Sequence, residues 1–341
     1  MVGIVKDEIF LEHKPEGYHP ENPERLRSIY SVLPDLDKEG LIYIESREAT
    51  HEELSYIHER AYVEFIASTK GSRRRLDPDT YVSPLSYDAA IRAAGAVIVL
   101  SDAIMKGYVK NGFALVRPPG HHAERSRAMG FCLFNNVAIG ARYLQNKYGI
   151  QRISIIDFDL HHGNGTQNSF YNEKGVLYFS THQYPYYPGT GWLDEIGENE
   201  GKGYTVNVPL SYGMGDEDYV FVFNEILLPI LNQYKPDFIM VSAGFDAYYK
   251  DPLGGMSLTE NGYSLITKIL LSLSEKLCEG RLLCVLEGGY NVEGLAICVK
   301  KVIEVLKNSS SRDLNKPTNP SKKAIHTVEE VKKRLSPYWT F

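Results

Sequence analysis

The feature that most constrains the fold of this chain is an alternation of short apolar runs with helical segments from residue 113 onward. Six runs have the composition of buried strands, at 113–116, 153–156, 176–179, 205–208, 238–241 and 282–286. Helical periodicity lies between and after them, at about 135–147, 219–233, 259–278 and 292–307. Strands that alternate with helices predict an α/β fold in which helices cover both faces of a parallel sheet.

The first third of the chain predicts fewer regular elements. A short strand-like run follows Met1, and helices are predicted at 24–33, 51–69 and 87–107. A surface loop is predicted at 71–84, where it can form part of the rim of a cleft. The basic run at 73–75 within it is interpreted as solvated loop charge.

Five of the six apolar runs end directly in polar, glycine-containing sequence. The side chains at these junctions are His121 and His122, Asp157, Asp159 and His161, Ser180 and Thr181, Asp246, and Tyr290. The carboxyl ends of parallel strands lie at one edge of a sheet, and ligands bind there. The sequence therefore predicts that all five junctions line a single cleft.

The charge and the cysteines disfavour several classes of protein. A formal net charge of -6 and a pI near 6.0 argue against nucleic acid or an anionic membrane surface as partners. The four cysteines show no CxxC spacing, which indicates buried thiols in a reducing compartment. No extended apolar segment follows the first residues, so we predict a cytoplasmic protein with neither signal peptide nor membrane span.

Asp159, His161 and Asp246 have the pattern of a metal site. Asp159 and His161 are two residues apart on an extended segment, so their side chains point the same way, and Asp246 comes from another strand end. Two carboxylates and one imidazole suit zinc with an open fourth position, although iron(II) or cobalt fits similar ligands. An isolated Asp-x-His would be a hydrogen-bonded pair, and the third ligand favours the metal.

A rival interpretation is the two-manganese site of arginase-like ureohydrolases, which share this type of sheet. Two metal ions held close together need additional bridging carboxylates. In those enzymes an aspartate lies two residues beyond each of the positions matching His161 and Asp246, whereas this chain has Gly163 and Tyr248 there. A single catalytic metal ion is therefore the better prediction.

His121 and His122 follow a stiff Pro-Pro-Gly turn and are candidates for proton transfer. Each imidazole needs a partner that fixes its tautomer, and Asp157 is free to hold one of them because it is not required as a zinc ligand. Tyr290 follows two glycines that permit a close backbone approach, so its phenol can hydrogen-bond a developing oxyanion. The plainer alternatives are surface histidines and a tyrosine packed on the sheet.

Five motifs in order along the chain resemble those of the zinc-dependent histone deacetylase family. They are Arg-Pro-Pro-Gly-His-His-Ala at 117–123, Gly-Phe-Cys-Leu-Phe-Asn-Asn at 130–136, Asp-Phe-Asp-Leu-His-His-Gly-Asn-Gly-Thr-Gln at 157–167, Ser-Ala-Gly-Phe-Asp at 242–246 and Leu-Glu-Gly-Gly-Tyr at 286–290. The resemblance extends from about residue 13 to residue 306. Asn164 and Thr166 resemble the class II branch and its bacterial amidohydrolase and acetylpolyamine amidohydrolase relatives.

The resemblance implies an arginase/deacetylase-like three-layer α/β fold, with a central eight-stranded parallel sheet and helices on both faces. It also implies zinc bound by Asp159, His161 and Asp246. By the same analogy, water attacks the amide, and acetate and an amine leave.

The family pattern further assigns roles to the remaining junction residues. His122 would be the general base and later the acid, His121 an electrostatic partner held by Asp157, and Tyr290 the group that polarises the acetyl carbonyl. Gly130 would accept the substrate amide hydrogen bond, and Phe131 and Tyr187 would flank the aliphatic stem of the acyl-lysine. A structural potassium ion would lie near Asp157, Asp159, His161, Ser180 and Thr181.

One departure concerns proton transfer. Asn164 stands where class I members of the family have an aspartate partner for the second histidine. A neutral partner stabilises imidazolium less than a carboxylate does, so the pKa of His122 is expected to be lower than it would be with aspartate.

The other departure concerns the substrate. Leu253 stands where some polyamine deacetylases of this superfamily have a gatekeeper glutamate, and no long insertion narrows the entrance before Tyr87. We therefore predict removal of acetyl groups from the ε-amine of acetyl-lysine in proteins or peptides. The alternatives are acetylpolyamines or other small N-acetyl amines, a catalytically silent acyl-lysine binder and a ureohydrolase. The silent binder is disfavoured because Tyr290 and all three zinc ligands are present.

The expected organisation is a single catalytic domain at 1–307, followed by a tail at 308–341. The tail begins as a linker with neither apolar nor helical periodicity. A short amphipathic helix is predicted at 328–335, and Tyr338, Trp339 and Phe341 are expected to anchor the tail to the body. The oligomeric state is left open by the sequence.

Overall fold

The computed structural model describes residues 1–37, 40–308 and 319–341. The strands are β1 (Val2–Val5), β2 (Leu41–Tyr43), β3 (Arg74–Arg75), β4 (Tyr81–Val82), β5 (Asn111–Ala114), β6 (Ile153–Asp157), β7 (Val176–Gln183), β8 (Thr205–Leu210), β9 (Phe238–Ala243) and β10 (Leu282–Leu286). Eight of them form one sheet in the order β2-β1-β5-β10-β9-β6-β7-β8, with every pair parallel. The predicted α/β fold with an eight-stranded parallel sheet is confirmed.

Helices flank this sheet and bury it. They are α1 (Glu24–Leu36), α2 (His51–Leu54), α3 (Arg60–Ala67), α4 (Ser86–Met105), α5 (Asn136–Tyr148), α6 (Asn164–Phe170), α7 (Asp216–Val222), α8 (Leu228–Tyr234), α9 (Glu260–Cys278), α10 (Val292–Lys307) and α11 (Lys322–Leu335), with a π-helical turn (Phe223–Leu227) joining α7 to α8. Helices α1, α9 and α10 pack side by side, as α4 and α5 do. The core strands β6, β9 and β10 are buried at every position, as expected for a sheet covered on both faces.

Several helices begin where the sequence supplies a capping side chain. Asn135 Oδ1 accepts a hydrogen bond from the backbone N–H of Ala138 at the start of α5, and Asn291 Oδ1 accepts one from Gly294 at the start of α10. Gly149, with a φ of 65°, ends α5 in the left-handed conformation. The two caps fix the helices that follow β5 and β10 close to the carboxyl edge of the sheet.

Two predictions for the first third of the chain are wrong. The helix predicted at 51–69 is divided into α2 and α3, because the buried ring of His58 is drawn into hydrogen bonds with the carbonyl of Glu124 and the N–H of Asn135. The loop predicted at 71–84 contains the antiparallel hairpin β3–β4, in which Tyr81 and Val82 are buried.

The strand predicted at 176–179 is longer than expected. β7 continues to Gln183 because β8 pairs with it as far as Leu210. Ser180 and Thr181 therefore lie within a buried strand and not in the turn after it.

The tail packs on the body through its helix and one aromatic side chain. Helix α11 contacts β8 and α7, and Trp339 Nε1 donates a 2.7 Å hydrogen bond to the carbonyl of Gly203. Tyr338 and Phe341 are more exposed than Trp339. Residues 309–318 of the expected linker lie outside the described residues. Within the described ranges, no helix has the length and apolarity needed to cross a membrane, and the four cysteines are buried and unpaired.

Candidate active site

The junction residues come together because their strands are neighbours. Strands β5, β10, β9, β6 and β7 are consecutive in the sheet and all run in the same direction. Their carboxyl ends therefore form one continuous edge. This arrangement is the physical basis of the convergence predicted from the sequence.

Asp159, His161 and Asp246 form a group in which one ligand atom from each residue lies within 4.8 Å of the others. Asp159 and His161 come from the turn after β6, and Asp246 comes from the turn after β9. His161 Nδ1 lies 3.2 Å from Asp159 Oδ1 and 2.9 Å from Asp246 Oδ2. All three side chains are nearly or fully buried.

The charges in this group favour a cation. Burial alone would lower the pKa of His161, yet Asp159 and Asp246 raise it to about 10. Burial and the neighbouring Asp159 also raise the pKa of Asp246. Two buried carboxylates thus favour a positive charge between them, which a divalent metal ion supplies while the imidazole stays neutral and ligating. The donor set and its electrostatics fit one metal ion.

Two glycines, Gly163 and Gly288, allow the backbone to approach buried carboxylates of the site. The N–H of Gly288 donates a 2.8 Å hydrogen bond to Asp159 Oδ2, and a Cβ at this position would overlap Asp246 Oδ2. A Cβ at Gly163 would overlap Asp157 Oδ2. An aspartate at position 163, which a two-metal site would need, would therefore require the Asp157 carboxylate and the Tyr178 hydroxyl to shift. Tyr248, at the other such position, packs its ring against Gly294.

The two histidines have different partners. His121 Nδ1 lies 3.1 Å from Asp157 Oδ2, and the hydroxyl of Tyr178 also donates to that oxygen at 3.0 Å. His122 Nδ1 lies 2.8 Å from the amide oxygen of Asn164. An amide oxygen can only accept, so His122 carries its proton on Nδ1 and its Nε2 is left with a lone pair.

Burial and charge separate the pKa values of the two rings. Burial opposes charge on His121, but Asp157 and Asp159 outweigh it and raise the pKa of His121 to about 10. Burial together with the adjacent His121 holds the pKa of His122 well below its usual range. His121 is therefore cationic at neutral pH and His122 is neutral.

A small cavity of about 80 Å³ opens beside the metal-binding group, and we call it the central cavity. It is lined by Gly130, Phe131, Tyr187, Leu253 and Tyr290, all predicted from the sequence to lie at the site. His122, His161 and Asp79 also line it. The Tyr187 ring meets the His122 ring edge to face at 5.2 Å, and the Phe131 ring meets the Tyr290 ring in the same way at 5.7 Å.

Tyr290 is held by residues that no sequence motif indicated. Asp251 Oδ2 accepts hydrogen bonds from the backbone N–H groups of Tyr290 (2.6 Å) and Asn291 (2.9 Å). The guanidinium of Arg25 donates to the carbonyls of Glu287 and Gly289 and lies 5.0 Å from the centre of the Tyr290 ring. Burial is the main cause that raises the pKa of Tyr290 well above its usual range, so its phenol stays protonated.

Two glutamates were also missed. Glu124 Oε1 accepts a 2.5 Å hydrogen bond from Asn164 Nδ2, which turns the amide oxygen of Asn164 toward His122. Glu287 Oε2 accepts from the N–H groups of Gly120 and His121 and so fixes the turn that carries both histidines. Each acts on a residue distant in sequence. Glu287 belongs to the motif at 286–290, but the motif assigned no role to it, and Glu124 has no spacing that indicates a role. Their positions directly after the two-histidine motif and after β10 were the available hints.

Three of the residues expected near potassium, Asp157, Ser180 and Thr181, lie on the paired strands β6 and β7. The other two, Asp159 and His161, lie in the turn after β6. Asp157 of β6 is in register with Ser180 of β7. Ser180 Oγ lies 2.9 Å from His182 Nδ1, and Thr181 Oγ1 is buried without a hydrogen-bond partner among the described residues.

Comparison with known proteins gives a consistent result. The profile of the histone deacetylase domain matches residues 19–306. The chain is similar to a probable deacetylase of Archaeoglobus fulgidus, with 39% identity over 99% of each chain. It is 43% identical to histone deacetylase 15 of Arabidopsis thaliana and 38% identical to the polyamine deacetylase HDAC10 of Homo sapiens, each over 94% of this chain.

The structural comparison agrees with the sequences. The crystal structure of the HDA15 HD domain matches with a TM-score of 0.92 and 42% identity, over 99% of this chain and 95% of that chain. The chain spans almost the whole archaeal relative, but only 59% of the Arabidopsis protein and 49% of the human one.

Proposed function

The chain belongs to the histone deacetylase family and is a deacetylase of that family, a hydrolase, and from this premise we propose that it is zinc-dependent and removes acetyl groups from the ε-amine of acetyl-lysine in proteins or peptides. The observation that carries the proposal is the meeting of a buried Asp-His-Asp group with a neutral histidine and a protonated tyrosine at one small cavity. A reducing, cytoplasmic location agrees with four buried and unpaired cysteines.

Asp159, His161 and Asp246 would hold the zinc ion. When bound, zinc supplies Lewis-acid polarisation of the acetyl carbonyl and lowers the pKa of a bound water. Two carboxylate ligands offset much of its charge, so a separate base is useful. Iron(II) or cobalt remains an alternative occupant of the same ligands.

His122 is the proposed general base. Its Nδ1–H is held by Asn164 Oδ1, so Nε2 is the nitrogen available to take a proton from water as the water oxygen bonds to the acetyl carbon. The same nitrogen then returns the proton to the amine as the carbon–nitrogen bond breaks, and acetate and a free amine leave. His121, held cationic by Asp157, is the proposed electrostatic partner in this step.

Tyr290 is the proposed oxyanion donor. Its raised pKa keeps the phenol protonated, and its ring lies on the wall of the central cavity. A donor aimed at the carbonyl oxygen stabilises negative charge as that charge develops.

The walls of the central cavity support an aliphatic substrate stem. Phe131 and Tyr187 supply aromatic surface, and Leu253 adds an apolar side chain to the lining. The carbonyl of Gly130 is the proposed acceptor of the substrate amide N–H. A structural potassium ion is proposed near Asp157, Asp159, His161, Ser180 and Thr181.

A second candidate is the deacetylation of acetylpolyamines or other small N-acetyl amines. It is favoured by the similarity to the human polyamine deacetylase. It is disfavoured by Leu253, which offers no charge to a second cationic amine.

The test is a substrate panel assayed with zinc-loaded enzyme. We expect kcat/KM for an acetyl-lysine peptide to exceed that for acetylputrescine and acetylspermidine. Tyr290→Phe is the matched control, expected to lower kcat by roughly 10²- to 10³-fold with zinc content unchanged. A kcat/KM for either polyamine well above that for the peptide would make the second candidate the better one.

A further inference from the structure

A second cavity, of about 160 Å³, lies next to the central cavity and has a basic wall. Its lining includes Lys14, Glu16, His19 and the arginine run at 73–75 that begins the β3–β4 hairpin. We call it the basic cavity. The sequence suggested only that these arginines were solvated loop charge, and the fold gathers them around a concave surface.

Three arginines outnumber the two carboxylates, Glu16 and Asp79, that also line this cavity. Arg73 and Arg75 are exposed and form no ion pair with any residue that the structure describes. Arg74 rests on the ring of Phe65, with 5.3 Å between the guanidinium carbon and the ring centre. Lys14 is paired with Glu12, at 2.8 Å. This patch is therefore cationic on a chain whose formal net charge is -6.

The two cavities share a wall. Asp79, in the loop between β3 and β4, lines both. His19 Nε2 lies 3.0 Å from the carbonyl of Asp79, and the His19 ring contacts the Phe131 ring at 4.8 Å. The N–H of Phe131 also donates a 3.0 Å hydrogen bond to Thr80 Oγ1. A substrate chain that left the central cavity over this wall would enter the basic cavity.

We propose that the basic cavity binds an acidic side chain of the substrate, a glutamate or aspartate a few residues from the acetyl-lysine. This inference rests on the proposed function. Opposite charge favours such a side chain through attraction to Arg73 and Arg75, and it accelerates encounter. A polyamine carries only positive charge beyond its acetyl group, so the same arginines repel it.

The test compares three peptides that differ only in the residues flanking the acetyl-lysine, which are glutamate, glutamine or lysine. A single acetyl-lysine with both ends blocked serves as the short substrate that cannot reach the basic cavity. The enzymes are the wild type, Arg73→Gln/Arg75→Gln, and Lys110→Glu as a matched control. Lys110 is exposed just before β5, at the amino edge of the sheet, and its replacement lowers the net charge by the same amount.

We expect the wild type to prefer the glutamate peptide over the glutamine peptide by roughly 2- to 10-fold in kcat/KM, and to disfavour the lysine peptide. High salt should reduce the preference, because both arginines are exposed. The preference should disappear in Arg73→Gln/Arg75→Gln and persist in Lys110→Glu. The blocked acetyl-lysine should be hydrolysed equally by all three enzymes, which shows that the variants are folded.

Three results would overturn the inference, in two distinguishable ways. Peptides hydrolysed without regard to flanking charge, or a glutamate preference that survives in Arg73→Gln/Arg75→Gln, would refute the inference and leave the proposed function intact. Hydrolysis of acetylpolyamines with no turnover of any peptide would refute the proposed substrate class and the inference together.

Discussion

His121 and His122 are neighbours on one turn, with ring centres 4.0 Å apart, yet they are held in opposite protonation states. The carboxylate of Asp157 faces His121, and the neutral amide of Asn164 faces His122. Both rings are buried, so burial does not distinguish them. The charge of the hydrogen-bonding partner distinguishes them. The positive charge on His121 further opposes protonation of His122. Two identical side chains thus become a fixed cation and a proton acceptor.

Replacing each histidine in turn should have the largest effect on kcat. We expect His122→Gln to lower kcat by roughly 10²- to 10⁴-fold, since it removes the general base. His121→Gln should cost less, because it removes a neighbouring charge and leaves the base in place. The measurement is kcat on an acetyl-lysine peptide, with zinc content and thermal unfolding as controls. A larger loss for His121→Gln would reverse the assigned roles.

Removing the carboxylate beside His121 should have the next largest effect. In Asp157→Asn, burial is no longer opposed by that charge, so the pKa of His121 should fall from about 10. We expect a loss of at least about tenfold in kcat, the equivalent of about 1.4 kcal/mol. NMR titration of the imidazole in zinc-loaded protein reports the protonation state directly. His121 remaining charged at neutral pH in this variant would show that Asp157 is not its main partner.

Making the two partners alike should shift the pH profile. In Asn164→Asp, a carboxylate stabilises the imidazolium of His122 and raises its pKa. Only the neutral ring accepts a proton, so activity should disappear at a higher pH as the solution is acidified. We expect the acidic limb of kcat/KM to move upward by roughly one unit. No movement would count against Asn164 as the partner of His122.

Glu124 provides a control for that experiment. Its carboxylate contacts the Asn164 amide nitrogen, so an aspartate at position 164 would face a second carboxylate and share a proton with it. The double variant Asn164→Asp/Glu124→Gln removes this conflict. Its acidic limb should lie above that of Asn164→Asp alone, and equal limbs would mean that Glu124 does not influence the pair.

The smallest expected effect is that of Glu124 alone. Glu124→Ala removes the shortest hydrogen bond of the Asn164 amide nitrogen and leaves its longer one to the His122 carbonyl. We therefore expect a loss of about fivefold in kcat, close to one hydrogen bond. Glu124→Gln keeps an acceptor oxygen and should retain most of the activity. The ¹⁵N chemical shifts of the His122 ring report its tautomer. An unchanged ratio of tautomers in Glu124→Ala would remove Glu124 from this role.

Much of the fold followed from local patterns. Apolar runs ending in polar residues located six of the strands and the edge at which the cleft forms. Local patterns did not predict the β3–β4 hairpin or the division between α2 and α3. Tyr81 is buried and His58 is hydrogen-bonded only because residues distant in sequence lie against them. Local sequence periodicity does not predict such contacts.

The residues of the candidate site likewise divide into those that the sequence predicted and those that it did not. Asp159, His161 and Asp246 stood out because ligand spacing and strand ends are visible in the sequence. Glu124 and Asp251 are single acidic residues with no such signal, and they act by hydrogen-bonding to Asn164 and to the backbone of Tyr290 and Asn291. Supporting residues of this kind become identifiable only when coordinates bring them beside the residues they orient.

Local sequence patterns were sufficient to predict the parallel α/β architecture, the five junctions and the residue types available for chemistry, because side-chain periodicity and turn composition are local properties. The tertiary structure was needed to show how burial and charge separate the pKa values of the two histidines, how the Asn164 amide is oriented and that the arginines at 73–75 line a cavity. These outcomes depend on burial and on the distance between charges, and both arise only when strands far apart in the chain become neighbours.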